Sequence, residues 1–151
     1  MSIDSKTRAR NNAYALLRSR PRSEYEIRRR LKLKGYEDPV IDGLIEDLRR
    51  IGDVDDAKFA RLWVESRMRS NPAGDIILRQ ELKTKGVSDG IINDVLCDKA
   101  KNYDEYAIAF DMALERFNRL KKLDRPKAMK RLYDFLLRRA FAYETVKKIV
   151  D

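Results

Sequence analysis

The sequence predicts an all-α protein, a tandem array of three degenerate three-helix repeats that is elongated and curved. Three observations predict it: apolar residues recur at helical spacing, segment boundaries carry helix-capping residues, and one pattern of residues returns along the chain. Two or three helices with one apolar stripe each bury little surface alone. We therefore expect neighbouring repeats to stack and to present an extended surface to a partner.

The repeat is clearest in the run Leu31–Gly35, which returns 51 positions later as Leu82–Gly86. The same offset relates the apolar residues Ile27 to Leu78, Ile41 to Ile92, Leu44 to Val95 and Ile45 to Leu96. A further shift of 54 positions carries Leu78, Leu82, Val87, Ile92, Val95 and Leu96 to Leu132, Leu136, Phe141, Val146, Ile149 and Val150. We therefore divide the chain into repeat 1 at residues 1–52, repeat 2 at 53–101 and repeat 3 at 102–151.

Repeat 1 is predicted to form helices near residues 7–19, 24–34 and 39–50. Ser23, with Glu26 three residues on, is a capping box that opens the second helix, and Gly35 supplies the left-handed residue that closes it. Asp38-Pro39 starts the third helix, with proline in the first turn and Asp38 able to cap its free N–H groups. Gly52 ends that helix.

Repeats 2 and 3 carry comparable start signals. These are Asp55 or Asp56, Gly74-Asp75, Ser88, Asp104 and Asp124-Arg125-Pro126. The helices that they predict lie near residues 56–69, 75–85, 89–100, 104–121, 126–139 and 143–150. Four aromatic residues at helical spacing are expected in the core: Phe59, Trp63, Tyr106 and Phe110.

Charge is distributed unevenly. The whole chain carries 34 Lys and Arg against 25 Asp and Glu, a net charge of +9 with a pI near 9.7. Residues 1–35 carry 11 positive and 3 negative charges, residues 119–151 carry 11 and 4, and the segment between them is net acidic. Two basic ends indicate an acidic partner, either nucleic acid or an acidic protein surface.

Catalysis is the function that the composition argues against most clearly. The chain has no histidine, which removes the commonest general base and metal ligand. The acidic clusters stand at predicted helix starts, and Asp53, Asp55 and Asp56 lack the glycine and distal glutamate of a calcium loop. No phosphate-binding glycine motif appears, so we expect no metal and no cofactor.

The single cysteine, Cys97, cannot form an internal disulfide, and we expect it to be a core or half-buried residue without catalytic activity. The sequence contains no apolar stretch long enough for a membrane span or a signal peptide. These features predict an intracellular, reducing environment.

Several runs together resemble the RecX family of regulators of the RecA recombinase. They are Gly52–Ala60, Val64, Arg67, Gly74 and Arg79–Val87 in the centre, Ala15–Leu17, Arg20, Ser23 and Leu31–Gly35 upstream, and Leu136–Phe141 downstream. The resemblance covers the chain from about Ala13 to Val150 and departs from the family at Ala140, where the family usually has glycine. It implies tandem three-helix repeats and a cytoplasmic protein that binds RecA and usually limits its filament growth, ATPase and strand exchange.

We therefore expect a non-enzymatic modulator of the RecA filament, which would contact its partner through basic residues. They are Arg28, Arg29, Lys32, Lys34, Lys83, Lys85, Arg138 and Arg139, with Arg67 and Arg69 nearer the middle of the chain. The expected partner is the RecA filament, with single- or double-stranded DNA as a further partner, no membrane, and a monomeric state.

Two other hypotheses stay open at this point. An autonomous DNA-binding protein, with two helices acting like a helix-turn-helix element, would bind bare DNA tightly and with steep salt dependence. An enzyme that uses carboxylates alone would need acidic residues brought together by the fold. The basic clusters also fit an ordinary solubilising surface.

Overall fold

The computed structural model describes residues 2–151, with side chains from residue 5 onward, and this part of the chain forms nine α-helices and no strand. The helices are α1 (Ser2–Ser19), α2 (Glu24–Leu33), α3 (Asp38–Arg50), α4 (Asp56–Ser70), α5 (Asp75–Thr84), α6 (Asp89–Asn102), α7 (Glu105–Arg119), α8 (Arg125–Arg138) and α9 (Tyr143–Val150). The all-α class and the nine predicted helices are confirmed. In the described residues, no helix is both long enough and apolar enough to cross a membrane.

The largest boundary difference is at α1, which begins at Ser2 although the sequence predicted a start near residue 7. Lys6 and Arg10 of α1 both lie near the carboxylate of Asp47 on α3, with N–O distances of 3.3 and 3.4 Å. These ion pairs also lower the pKa of Asp47, chiefly through the hydrogen bond from Lys6. The extra turns of α1 are thus supported by α3, which local sequence does not reveal.

Gly35 and Gly52, the predicted stop signals of α2 and α3, are in the left-handed conformation, and so is Gly86 after α5, which was not predicted as a stop signal. Gly35, Gly52 and Gly86 have φ values of 93°, 84° and 78°. At the start of α2, Ser23 accepts a hydrogen bond from the Glu26 N–H while the Glu26 side chain accepts one from the Ser23 N–H. The capping box and the glycine stop signals are therefore confirmed.

Ala140 ends α8 in the same way, with φ of 62° where glycine would be unstrained. Two start signals work differently from their prediction. The residue preceding α3 is Glu37, which makes no side-chain cap, and Asp38 instead pairs with Lys32. Asp124 precedes α8 as expected but also makes no side-chain cap, whereas Asp55 and Asp104 do cap α4 and α7.

Contacts divide the described chain into two compact units. Unit 1 comprises the residues up to Trp63 together with Leu82–Ile92, and unit 2 comprises Val64–Glu81 together with Asn93–Asp151. The core of unit 1 lies among α1, α2 and α3, and its buried residues are Ala9, Ala13, Ile27, Leu31, Ile41, Leu44, Ile45, Leu48 and Val54. The core of unit 2 that α7, α8 and α9 form contains Ala109, Ala113, Leu132, Leu136, Phe141 and Val146. The apolar positions that the repeat aligns are thus buried, except for Ile149 and Val150 in the last copy, which are partly buried.

Each unit contains the same contact between helix ends. In unit 1, the Ser23 hydroxyl at the start of α2 donates to the carbonyl of Lys85 just after α5, at 2.6 Å. In unit 2, the Gly74 N–H at the start of α5 donates to the carbonyl of Arg139 just after α8, at 2.7 Å. Ser23 and Gly74 are 51 positions apart, and Lys85 and Arg139 are 54 apart, so the contact follows the sequence repeat.

Two expectations about burial are wrong. Tyr106 and Phe110 are 42% and 38% exposed, because the side of α7 that faces the core carries Ala109 and Ala113 instead. Cys97 is exposed on α6, since its neighbours Val95 and Leu96 occupy the buried side of that helix. Phe59 is buried as expected, and Trp63 is half-buried beside it.

Candidate partner-binding site

Three of the candidate contact residues lie together in a cleft on unit 1. We call it the α2 cleft; it has a volume of about 340 Å³ and is lined by Tyr25, Arg28, Arg29, Lys32, Leu33, Asp38 and Ile41. Tyr25 is 45% and Leu33 is 75% exposed, so apolar groups stand beside the cations. A surface that mixes exposed apolar groups with arginine is typical of protein interfaces.

Arg28 is held on both sides by carboxylates. Its Nε lies 3.1 Å from Glu24 and its Nη1 lies 2.6 Å from Asp42 on α3. The hydrogen bond to Asp42 is the main influence that raises the pKa of Arg28. The charge of Arg28 is therefore largely neutralised within the fold, and the guanidinium braces α2 against α3.

The bracing contacts recur in the second copy of the pattern. Lys32 pairs with Asp38 at 2.9 Å, and the equivalent Lys83, 51 positions later, pairs with the equivalent Asp89 at 3.4 Å. In unit 2, Arg79 donates to Asn93 at 2.8 Å, matching the contact of Arg28 with Asp42. Basic residues at these positions thus join consecutive helices of a repeat.

Arg29 and Lys34 differ from these braced residues. Both are exposed, and neither forms an ion pair with another described residue. Arg29 lines the α2 cleft, and Lys34 follows α2 as its C-terminal capping residue, where its backbone N–H donates to Arg30. Their charges are available to an external anion.

Lys85 is held by contacts within unit 1. Its Nζ lies 3.3 Å from Glu26 and 5.3 Å from the centre of the Trp63 ring, and its side chain is only 26% exposed. Burial, the largest influence, raises the pKa of Glu26, but the hydrogen bonds from Arg20, from the Ser23 backbone and from Lys85 together outweigh it and lower that pKa. Lys85 therefore contributes mainly to the junction between α2 and the end of α5.

The candidates in unit 2 fall into two groups. The Arg67 side chain is 18% exposed and donates to Glu81 at 3.0 Å and to the Asn71 carbonyl at 2.6 Å. Arg67 therefore stabilises the fold and has little surface left for a partner. Arg69 and Arg138 are exposed and form no ion pair with a described residue. These two join Arg29 and Lys34 as the candidates whose charge is not used within the fold.

Arg139 belongs to a cluster that the sequence interpretation missed. Its guanidinium lies 5.7 Å from the centre of the Phe135 ring, and the Arg116 guanidinium lies 4.6 Å from the same centre. Arg116 and Arg119, three residues apart at the basic end of α7, were not among the candidates. Their helical spacing was visible, but the packing of α7 against α8 around Phe135 was not.

Family models match along almost the whole chain. They are described as RecX first, second and third three-helix domains and match residues 9–48, 55–96 and 103–150. A protein called "Regulatory protein RecX" from Chlorobium phaeobacteroides (strain BS1) is 37% identical over 92% of this chain and 89% of its own length. One of the same name from Prosthecochloris aestuarii (strain DSM 271 / SK 413) is 37% identical over 98% of this chain and 95% of its own length.

A solved structure has the same fold. "Crystal structure of RecX from Lactobacillus salivarius" describes a chain that superposes with a TM-score of 0.85 at 20% sequence identity, covering 98% of this chain and 96% of that one. A second, "Crystal structure of regulatory protein RecX", gives a TM-score of 0.83 at 21% identity and covers 98% of this chain and 72% of that one.

Proposed function

This chain belongs to the RecX family of regulatory proteins, and from that premise we propose that it modulates the RecA recombinase by binding the RecA–DNA filament. Binding that favours one state of the filament over another would limit filament growth, ATPase activity and strand exchange. In this proposal the protein acts by binding and has no catalytic activity. It works as a monomer in the cytoplasm, with repeats at residues 1–52, 53–101 and 102–151.

The α2 cleft is the observation that carries the proposal. It places the free charge of Arg29 beside two exposed apolar side chains, Tyr25 and Leu33, on a helix that Arg28 and Lys32 brace against α3. Apolar groups supply burial when a partner docks, and the cations supply steering and register. A braced helix also loses little conformational entropy on binding.

The proposal divides the candidate residues by role, and their contacts within the fold support that division. Arg29, Lys34, Arg69 and Arg138 are assigned direct contact with the acidic partner. Arg28, Lys32, Lys83, Lys85 and Arg67 are assigned support, because each already forms an ion pair within the fold. Arg139 stacks on Phe135 without an ion pair to a described residue and is assigned no contact with RecA. Exchanging a supporting residue would therefore change stability as well as binding.

The test is a titration of the RecA ATPase on single-stranded DNA with this protein. We expect inhibition at well below one protein per RecA, and we expect Arg29→Glu with Lys34→Glu to require about tenfold more protein for the same inhibition. A tenfold change corresponds to about 1.4 kcal/mol of binding free energy. Helix content and thermal midpoint are measured in parallel, since neither residue forms an ion pair in the described fold.

Lys147→Glu with Lys148→Glu is the matched control. These lysines are exposed on α9 and their exchange alters net charge by the same amount. Equal losses in the two variants would mean that net charge alone acts, and would remove the α2 cleft from the proposal. Strong binding to bare DNA with no effect on RecA would favour an autonomous DNA-binding protein instead.

A further inference from the structure

Unit 2 contains a second basic cleft, built from α7, α8 and the segment after α4. It has a volume of about 280 Å³, and its lining includes Asn71, Arg116, Arg119, Phe135 and Arg139. We call it the arginine cleft. Its only lining carboxylate is Glu115, which pairs with Arg119 at 3.3 Å on the exposed surface of α7. Three arginines therefore face one acid, and the cleft is net positive, with Arg116 and Arg139 unpaired by any lining carboxylate.

Two of the arginines are fixed by an aromatic ring rather than by a carboxylate. The guanidinium carbons of Arg116 and Arg139 lie 4.6 and 5.7 Å from the centre of the Phe135 ring. Such stacking orients a planar guanidinium while leaving its in-plane N–H donors for a ligand. Neither arginine forms an ion pair with a carboxylate of the described residues.

Arg139 is anchored in place but not satisfied. Its Nη2 donates to the side-chain oxygen of Asn71, and its backbone carbonyl accepts from Gly74. Its Nε is buried and has no hydrogen-bond partner among the described residues. Burial, followed by the positive charges of Arg67 and Arg116, lowers the pKa of Arg139. The guanidinium charge therefore has no negative group beside it that offsets the cost of burial, which is the compensation a ligand could bring. An anion in the cleft would supply it.

From these contacts we propose that the arginine cleft binds the phosphodiester backbone of a nucleic acid, with Arg116, Arg119 and Arg139 as the phosphate contacts. Guanidinium groups match phosphate oxygens with paired hydrogen bonds. The inference does not rest on the proposed action on RecA, because it concerns a ligand that this chain would bind alone.

The surroundings favour a polyanion over a single phosphate. Arg131, Phe135 and Arg139 follow one another at four-residue spacing on one side of α8. At 1.5 Å per residue, Arg131 and Arg139 lie about 12 Å apart along the helix axis, which is longer than one phosphate group. Arg131 is exposed and forms no ion pair with a described residue. A nucleic-acid strand would contact both ends of this row.

The experiment is a fluorescence anisotropy titration of a labelled oligothymidine with the full chain, in the absence of RecA, over a series of salt concentrations. Arg116→Gln with Arg119→Gln should weaken binding about tenfold or more, since each exchange removes a charge-assisted hydrogen bond. The slope of log affinity against log salt should become shallower by about 1.4, because each phosphate contact contributes about 0.7 on a single strand. Arg116→Lys should keep the slope but lose part of the affinity, because it keeps the charge without the planar fork.

Lys147→Gln with Lys148→Gln is the control, since it removes two exposed charges from the same unit. We expect it to weaken binding less than the arginine pair. Equal weakening by the two pairs would overturn the proposal, because net charge would then explain the binding. A glutamate oligomer of equal charge that bound as tightly as the oligonucleotide would also overturn it and would indicate an acidic protein as the occupant. Circular dichroism melts of every variant separate loss of binding from loss of fold.

Discussion

Gly86→Ala is the substitution that tests most directly how α2 meets the end of α5. Gly86 has a φ of 78°, and a Cβ built on it would lie 2.3 Å from the Cβ and 2.6 Å from the Cγ of Tyr25. Gly35 occupies the equivalent position in the first copy of the pattern, with a φ of 93° and no atom within 4 Å of an added Cβ. The two glycines therefore share the backbone strain and differ in the contact.

The expected losses can be worked out separately. A left-handed alanine costs about 1–2 kcal/mol, and alanine recovers about 0.5–1 kcal/mol because its unfolded chain is less flexible than that of glycine. Gly35→Ala should therefore lower the free energy of unfolding by about 1 kcal/mol. Gly86→Ala should add about 1–3 kcal/mol for overpacking, because carbon atoms normally stay about 3.5–4.0 Å apart. Displacement of α2 would also weaken the Ser23 to Lys85 hydrogen bond, worth about 1 kcal/mol.

Urea unfolding followed by helix circular dichroism measures both losses. We expect the difference between the two variants to be about 2 kcal/mol or more. In a chain of this length that difference lowers the thermal midpoint by roughly a further 4–8 °C. Measured in a Tyr25→Gly background, Gly86→Ala should cost about as much as Gly35→Ala does alone, because the obstructing carbon is then absent. Equal losses for Gly35→Ala and Gly86→Ala would refute the reasoning, since the contact with Tyr25 would carry no energy.

Three further predictions concern stability. Ala140→Gly should raise the free energy of unfolding by up to about 1 kcal/mol, measured by the same urea titration, because it relieves the left-handed φ of 62° at the end of α8. Gly43→Ala should stabilise α3 by about 0.5–1 kcal/mol in urea, because an added Cβ meets no atom within 4 Å and alanine favours the helix; a loss of stability would contradict this. Glu26→Gln should lower the free energy of unfolding at neutral pH, and the difference from the unsubstituted protein should become smaller in acid. The folded pKa of Glu26 lies below its unfolded value, so its stabilisation is present above about pH 4.3 and is lost as pH falls through the folded pKa. Urea unfolding at a series of pH values measures this difference in free energy. A difference that stays constant across the acid range would show that the Glu26 charge does not stabilise the fold.

The contacts of the basic residues also bear on how such surfaces are interpreted. Arg28 and Lys32 looked like parts of a binding face in the sequence, yet each is paired with an acid near the start of the next helix, Asp42 and Asp38 of α3. Exposed ion pairs of this kind contribute only about 0–1 kcal/mol each to stability. Their repetition at Lys83 shows that they belong to the architecture of the repeat. A cluster of basic residues therefore indicates a binding surface only when the residues that already pair with acids of the same chain are left out.

The helices and their ends were predictable because they depend on local chemistry. The capping box at Ser23 and the left-handed residues Gly35 and Gly52 act within a few positions of themselves, so their neighbours in sequence suffice. The start of α1 was not predictable, because Asp47 lies far along the chain from the turns that it supports. The exposure of Tyr106 was not predicted either, since α7 has apolar residues on more than one side and their spacing does not show that the core-facing side is the one with Ala109 and Ala113.

The candidate site was predictable only in part, for the same reason. The α2 cleft gathers Arg28, Arg29 and Lys32 because they lie within about one turn of a single helix, a proximity that sequence contains. The arginine cleft joins Arg116 of α7 to Arg139 just beyond α8, and only the packing of those helices around Phe135 brings them together.

The helices, most of their caps, the three-fold repetition, the family and the basic ends of the chain can all be predicted from the order of the residues. Helical periodicity, capping and charge are properties of residues close together in the chain, so they can be read without coordinates. Which cations are neutralised and which remain available to a partner depends on how the helices pack. An ion pair or an aromatic stack forms between helices, and whether Arg28 meets Asp42 while Arg29 meets no acid depends on the side of α2 from which each projects.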